Sequence, residues 1–223
     1  MNPVGAFVLA LAAAPAVAIV LMVAIRRPRA AEALNLIASA ISLISIFAVL
    51  LLTRDTTARF WGGYVIIDGF GTWSILCAAI VYFLASIYAI GYMRLLGEED
   101  RLYRFYAMFA GFGLSTLVGP MMNNAGLYWI AIELTTLIST FLVAFEREAE
   151  SIEAAWKYII VVSAGISLAL LGTVLFYWSG TFVLGPSYDM TWETLEQVAP
   201  RLNPPLVSLA FLLVLIGYGT KVG

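Results

Sequence analysis

The chain has 223 residues, of which 62% are hydrophobic and 12% charged, with a formal net charge of -2. A mean hydropathy of +0.96 lies outside the soluble range and places the chain in a lipid bilayer. The charge balance leaves no basic patch for nucleic acid, the lack of histidine excludes imidazole chemistry, and the single cysteine, Cys77, excludes an internal disulfide or cysteine metal site.

A helix crosses the hydrocarbon core with about 20 apolar residues. Seven stretches meet that length: 3–25, 33–53, 70–93, 104–122, 125–145, 154–178 and 204–223. No loop between them is of domain size, so the expected architecture is all-α and polytopic, with residues 1–223 forming a single transmembrane unit. The first stretch contains the small-residue run "LALAAAPAVA", which a signal peptidase would suit. Its positive charges, Arg26, Arg27 and Arg29, follow the apolar run instead of preceding it. It therefore reads as a retained span, kinked at Pro15. Asp68, in "VIIDGFGTW", reads as a cap at the start of the third span.

Between Phe105 and Phe145 the only charged residue is Glu133, and 41 residues are too many for one crossing. "GPMMNNAG" supplies the break between the fourth and fifth spans, through Pro120, two asparagines and Gly126. In the sixth span, small residues such as Ala164, Gly165 and Ser167 read as helix-packing contacts. The longest connection, 179–203, contains "MTWETLEQVA". Trp192, Leu195 and Val198 recur there at helical spacing, which predicts a short amphipathic helix at the outer interface.

Arginines give the orientation. Loops after spans one, three and five hold Arg26, Arg27, Arg29, Arg94, Arg101, Arg104 and Arg147, against Arg54, Arg59 and Arg201 in the others, seven against three. The N-terminus is expected outside, with loops 26–32, 94–104 and 146–153 cytoplasmic.

Three ionisable residues stand inside apolar stretches. Glu133, in "LYWIAIELTTLISTFLVAF", is central, where an acidic group costs roughly 2.5–3.5 kcal/mol to insert. It must face protein or water, either as a protonated packing group or as a titratable group on an ion path. Lys157, in "EAAWKYII", follows Glu153 by four residues, the spacing of a helical ion pair. It reads equally as a snorkelling side chain or as a site residue, while Glu153 and Trp156 read as interfacial. Lys221, in "GYGTKVG", lies about 25 Å along a straight helix from Pro204. The glycines around it, Gly217, Gly219 and Gly223, would weaken the helix, so a discontinuous helix with a functional lysine competes with simple snorkelling.

The stretches "YWIAIELTTLISTFLVAF", "IEAAWKYIIVVSAGISLALLGTVLFYWSG" and "LAFLLVLIGYGTKVG" resemble the antiporter-like proton-channel family. This family comprises the large membrane subunits of respiratory complex I, the Mrp cation/proton antiporters and membrane-bound hydrogenases. The hydrogenase-4 component F type is nearest, through "EAAWKY" and "GYGTK". The likeness is strongest over 125–223 and collinear over the first 124 residues. It implies that Glu133 and Lys221 form a coupled pair on a proton path, with Lys157 a further participant in proton translocation. It also implies the N-terminal half of a fold of about fourteen helices, with the lysine of span seven at a helix break. The reading frame is then expected to continue past Gly223, with histidine within about a dozen residues. On straight helices Glu133 and Lys221 would differ in depth by roughly 10 Å. A later start of span seven, or bridging water with the helix break, has to close that gap.

The implied function is a proton- or cation-translocating subunit of a redox-driven complex, such as a membrane-bound hydrogenase or NADH dehydrogenase. An Mrp-type antiporter subunit, a stand-alone transporter and a non-conducting anchor or assembly fragment are the alternatives. No ligand set for a redox centre or other cofactor stands in the chain, so electron transfer would belong to partner subunits. The expected partners are those membrane subunits, the lipid bilayer, and protons or sodium. The expected location is the plasma (inner) membrane of a prokaryote.

Overall fold

A computed structural model describes residues 3–53, 57–96 and 101–222, with Leu96 described by its backbone alone. Arg54, which entered the orientation count, part of the loop 94–104, and Gly223 lie outside the described residues. Contacts gather into two compact units, Met1–Met121 and Met122–Gly223.

The first unit contains α1 (Pro3–Ile25), α2 (Pro28–Leu52), α3 (Gly69–Leu96) and α4 (Leu102–Val118). Helix α1 runs without interruption through Pro15 and packs on α2 and α4, while α2 packs on α3 and α4. Pro28 at the start of α2 has no amide proton to lose there, which is why proline suits a first helical turn. The buried face of α2 is polar: Glu32, Asn35, Ser39, Ser42 and Ser45 recur at helical spacing and are almost fully enclosed. Each polar group needs a partner in such surroundings. Asn35 finds two, donating to Ser86 Oγ at 3.0 Å and accepting from the Tyr82 hydroxyl at 2.9 Å. Glu32 accepts from Arg94 at 2.7 Å and 3.4 Å.

Between α2 and α3 lies a hairpin where hydropathy alone leaves a plain connection. Strands β1 (Ala58–Phe60) and β2 (Val65–Ile67) pair antiparallel, Ala58 opposite Ile67 and Phe60 opposite Val65. Its turn holds Gly62 and Gly63 at φ 70° and 93°, a region glycine enters without penalty. The signal was present in "RFWGGYVII", aromatic and β-branched residues flanking Gly-Gly. Asp68 then caps α3, its Oδ1 accepting from the Gly71 amide at 2.6 Å.

Helix α4 has 17 residues, continued by a single 3-10 turn at Gly119–Met121. It spans about 26 Å and sits just below the length of a clear crossing. Among the described residues, six helices are long and apolar enough to cross a membrane. They correspond to every expected span but this one.

The second unit contains α5 (Ala125–Val143), α6 (Ala149–Leu184), α7 (Trp192–Val198) and α8 (Pro204–Val222). Asn124 starts α5 as its N-cap, accepting from the Gly126 and Leu127 amides at 3.0 and 3.1 Å, so the "NNAG" break acts by capping. Helix α6 runs six residues past its expected end, to Leu184. The short helix expected in the long connection is α7, with Thr191 as N-cap. Its segment is tied to the start of α5 by the Ala125 amide on the Met190 carbonyl, 3.1 Å, and the Trp192 indole on the Met122 carbonyl, 2.9 Å. Helix α8 packs along α6, and α5 packs on α6.

Candidate functional site

Glu133 sits midway along α5, with Thr136 and Thr140 on the same face at i+3 and i+7. The Trp129 indole fixes α5 against α6 by donating to the Ile166 carbonyl at 2.9 Å. This brings Ser163 of α6 to Glu133, where its hydroxyl donates to Oε1 at 3.4 Å, a long bond. The other carboxylate oxygen, Oε2, is buried and has no hydrogen-bond partner among the described residues. A buried, half-satisfied carboxylate is costly in an apolar bundle. Its proton affinity therefore answers strongly to any cation that approaches or withdraws.

The cation is Lys221. Helix α8 is continuous through Gly217 and Gly219 to Val222, so the expected break before the lysine is not found among the described residues. The glycines serve packing instead. A Cβ on Gly217 would collide with Ala169 of α6, and the Gly165 Cβ position is filled by the Thr220 side chain. With backbones this close, the Lys221 ammonium reaches across to α5 and α6. It donates to Thr136 Oγ1 at 2.9 Å and to the Tyr158 hydroxyl at 3.2 Å, and lies 5.8 Å from the centre of the Tyr158 ring. Thr136 is one helical turn from Glu133, about 4.5 Å along the axis. The gap of roughly 10 Å expected from straight-helix counting is thus reduced by helix packing, with no break in α8.

Glu133 and Lys221 are neighbours without being an ion pair: the described ion pairs within 4.0 Å do not include them. Lys221 is nonetheless within electrostatic reach of the carboxylate. Lys157 lies elsewhere. It pairs with Glu153 at the expected four-residue spacing, and both side chains are exposed, 73% and 65%.

Sequence reasoning missed Thr136, Ser139 and Tyr158. The signal was in "TTLIST", which sets hydroxyls one and two turns beyond Glu133, and in "WKY". Successive helical residues point about 100° apart, so Tyr158 turns inward where Lys157 turns out. Among the described residues no group of three or more metal-ligating side chains comes together.

Residues 123–223 match a family model described as NADH:quinone oxidoreductase/Mrp antiporter, TM. The chain is 34% identical over 216 residues, 94% of its length, to a hydrogenase-4 component F homolog of Methylacidiphilum infernorum, and covers 44% of that protein. Its fold is similar to a chain of the membrane-bound sulfane sulfur reductase, an archaeal respiratory membrane complex, with TM-score 0.78, 18% identity, and coverage of 94% of this chain and 43% of the other. It is also similar to a chain of respiratory complex I from Thermus thermophilus, with TM-score 0.72, 23% identity and coverage of 95% and 43%. The chain therefore spans less than half the length of each of these proteins.

Proposed function

From a chain related to the antiporter-like membrane subunits, we propose a proton-translocating subunit of a redox-driven membrane complex. The observation that carries this reading is the half-satisfied carboxylate of Glu133, central in a membrane helix, with the Lys221 ammonium one turn away on another helix. Packing alone would favour an apolar residue at either position, because burying charge costs more than it returns unless the charges are fully partnered. A carboxylate that gains and loses a neighbouring cation binds and releases a proton as the cation moves.

In this reading Glu133 is the proton-carrying group and Lys221 sets its affinity. Lys157, on the exposed side of α6, enters as a relay through the family resemblance alone. Redox chemistry belongs to partner subunits, of the hydrogenase or NADH dehydrogenase kind. The membrane is a prokaryotic plasma membrane, and arginine asymmetry puts the N-terminus outside.

The test is Glu133→Gln in the assembled complex, reconstituted in vesicles with a pH-sensitive dye inside. The amide keeps the shape and removes the proton-binding charge. Assembly is expected to persist while proton uptake is lost. Wild-type uptake in the variant would make the glutamate structural and end the proposal.

A further inference from the structure

Lys221 is held by two hydroxyls whose own protons are directed elsewhere. Thr136 Oγ1 donates to the Ile132 carbonyl at 3.3 Å. The Tyr158 hydroxyl and Ser139 Oγ are 3.0 Å apart, and Ser139 donates to the Thr136 carbonyl at 2.9 Å. With the ammonium donating to Tyr158, the bonds align in one sense: Lys221 to Tyr158, Tyr158 to Ser139, Ser139 to the backbone. Each hydroxyl thus turns a lone pair toward the lysine, and a chain of this kind strengthens its members. A pair of chance contacts would not require Ser139 to brace the tyrosine. A built cation seat would.

We propose that Tyr158, braced by Ser139 and flanked by Thr136, is a second seat for the Lys221 ammonium, and that the lysine works by moving between this seat and Glu133. The proposal rests on the function inferred above. Thr136 and Glu133 are one turn apart on α5, about 5 Å, a distance that a flexible four-carbon stem sweeps without moving a helix. With the ammonium on Tyr158, the Glu133 carboxylate binds one proton from water. When the ammonium returns, its charge expels that proton, and Lys221 keeps its own three protons throughout. Tyr158 is therefore a positioning residue, acting on the proton through the lysine.

The groups facing Glu133 are few. Ser163 approaches from α6 and Lys221 from α8, while the charged pair of α6, Glu153 and Lys157, lies on its exposed side. A change at Tyr158 is thus read through Lys221.

Tyr158→Phe keeps the ring and deletes the seat's hydroxyl, so the lysine shifts to Glu133 and holds it ionised. In the same vesicle assay, proton uptake at neutral pH is expected to fall about tenfold, the size of a lost hydrogen bond to a charged group. The pH profile of uptake is expected to move about one unit toward acid, since a tenfold change in occupancy is one pH unit. Ser139→Ala should move both readouts the same way by less, and Ser139→Thr, which keeps the hydroxyl, should restore them. A fall that is equal at every pH, with no shift of the profile, would mean a merely structural role and overturn the proposal. Should Tyr158→Phe not assemble, the Ser139 pair decides: Ala and Thr behaving alike overturns it. The two readings separate cleanly, because inactive Glu133→Gln beside a wild-type Tyr158→Phe sinks only the second seat. Wild-type uptake in Glu133→Gln sinks the function on which it rests.

Discussion

Gly165 of α6 and Thr220 of α8 occupy one space: a Cβ on the glycine would fall on the threonine side chain. Thr220 directly precedes Lys221, so this contact sets how far the ammonium extends toward α5. A glycine that reads in sequence as one of several small packing residues is thus part of the lysine's placement.

Gly165→Ala is expected to push α8 from α6 and weaken the protein by about 1–3 kcal/mol, the range for an added core methyl. Thermal unfolding in detergent measures that loss. Proton uptake should drop with it, because Lys221 no longer reaches Thr136. Gly165→Ala with Thr220→Gly moves the small residue across the contact and should recover both.

Lys221→Ala removes the cation that governs Glu133 and is expected to abolish proton uptake with assembly intact. Lys221→Arg keeps the charge. Its planar fork does not reproduce the compact ammonium on the Thr136 and Tyr158 hydroxyls, so uptake should stay well below wild type. Equal uptake by the arginine variant and the wild-type protein would show that charge alone suffices.

In the first unit, Glu32 and Arg94 pair at 2.7 Å with unequal burial, 8% and 64% side-chain exposure respectively. Arg94→Gln strands a buried carboxylate, whereas Glu32→Gln leaves an arginine that is already exposed. The arginine variant is expected to be the less stable of the two, with the double variant between it and wild type. Unfolding midpoints of the three variants check the order.

Asn124→Ala should cost about 1 kcal/mol. It removes the acceptor of two amides at the start of α5, Gly126 and Leu127. Asn124→Asp retains the acceptor and should retain the stability. Unfolding in the same detergent reads both.

Much of this molecule was legible from hydropathy and breaking residues. Spans such as Pro3–Ile25 and Pro204–Val222 begin where the apolar runs begin, and Thr191 and Trp192 open the short helix where helical spacing put it. The hairpin at Ala58–Ile67 was missed because span length as a criterion passes over a short aromatic stretch with Gly-Gly. The continuity of α8 was missed for another reason. Gly217 and Gly219 lower intrinsic helix stability, but close packing on α6 at Gly217 and Gly165 outweighs that local preference.

Composition and periodicity by themselves determined that the chain lives in a bilayer, where its helices begin, and that Glu133 stands alone at the middle of one. These properties follow from local transfer energies, which each segment carries whatever its neighbours do. Only the tertiary structure decided which groups meet Lys221. Thr136 and Tyr158 are 85 and 63 residues away in the chain, and whether a side chain turns toward them depends on the rotation of each helix. That rotation is set by the fit of small residues between α6 and α8, so Tyr158 faces the lysine while Lys157, one residue earlier, faces away.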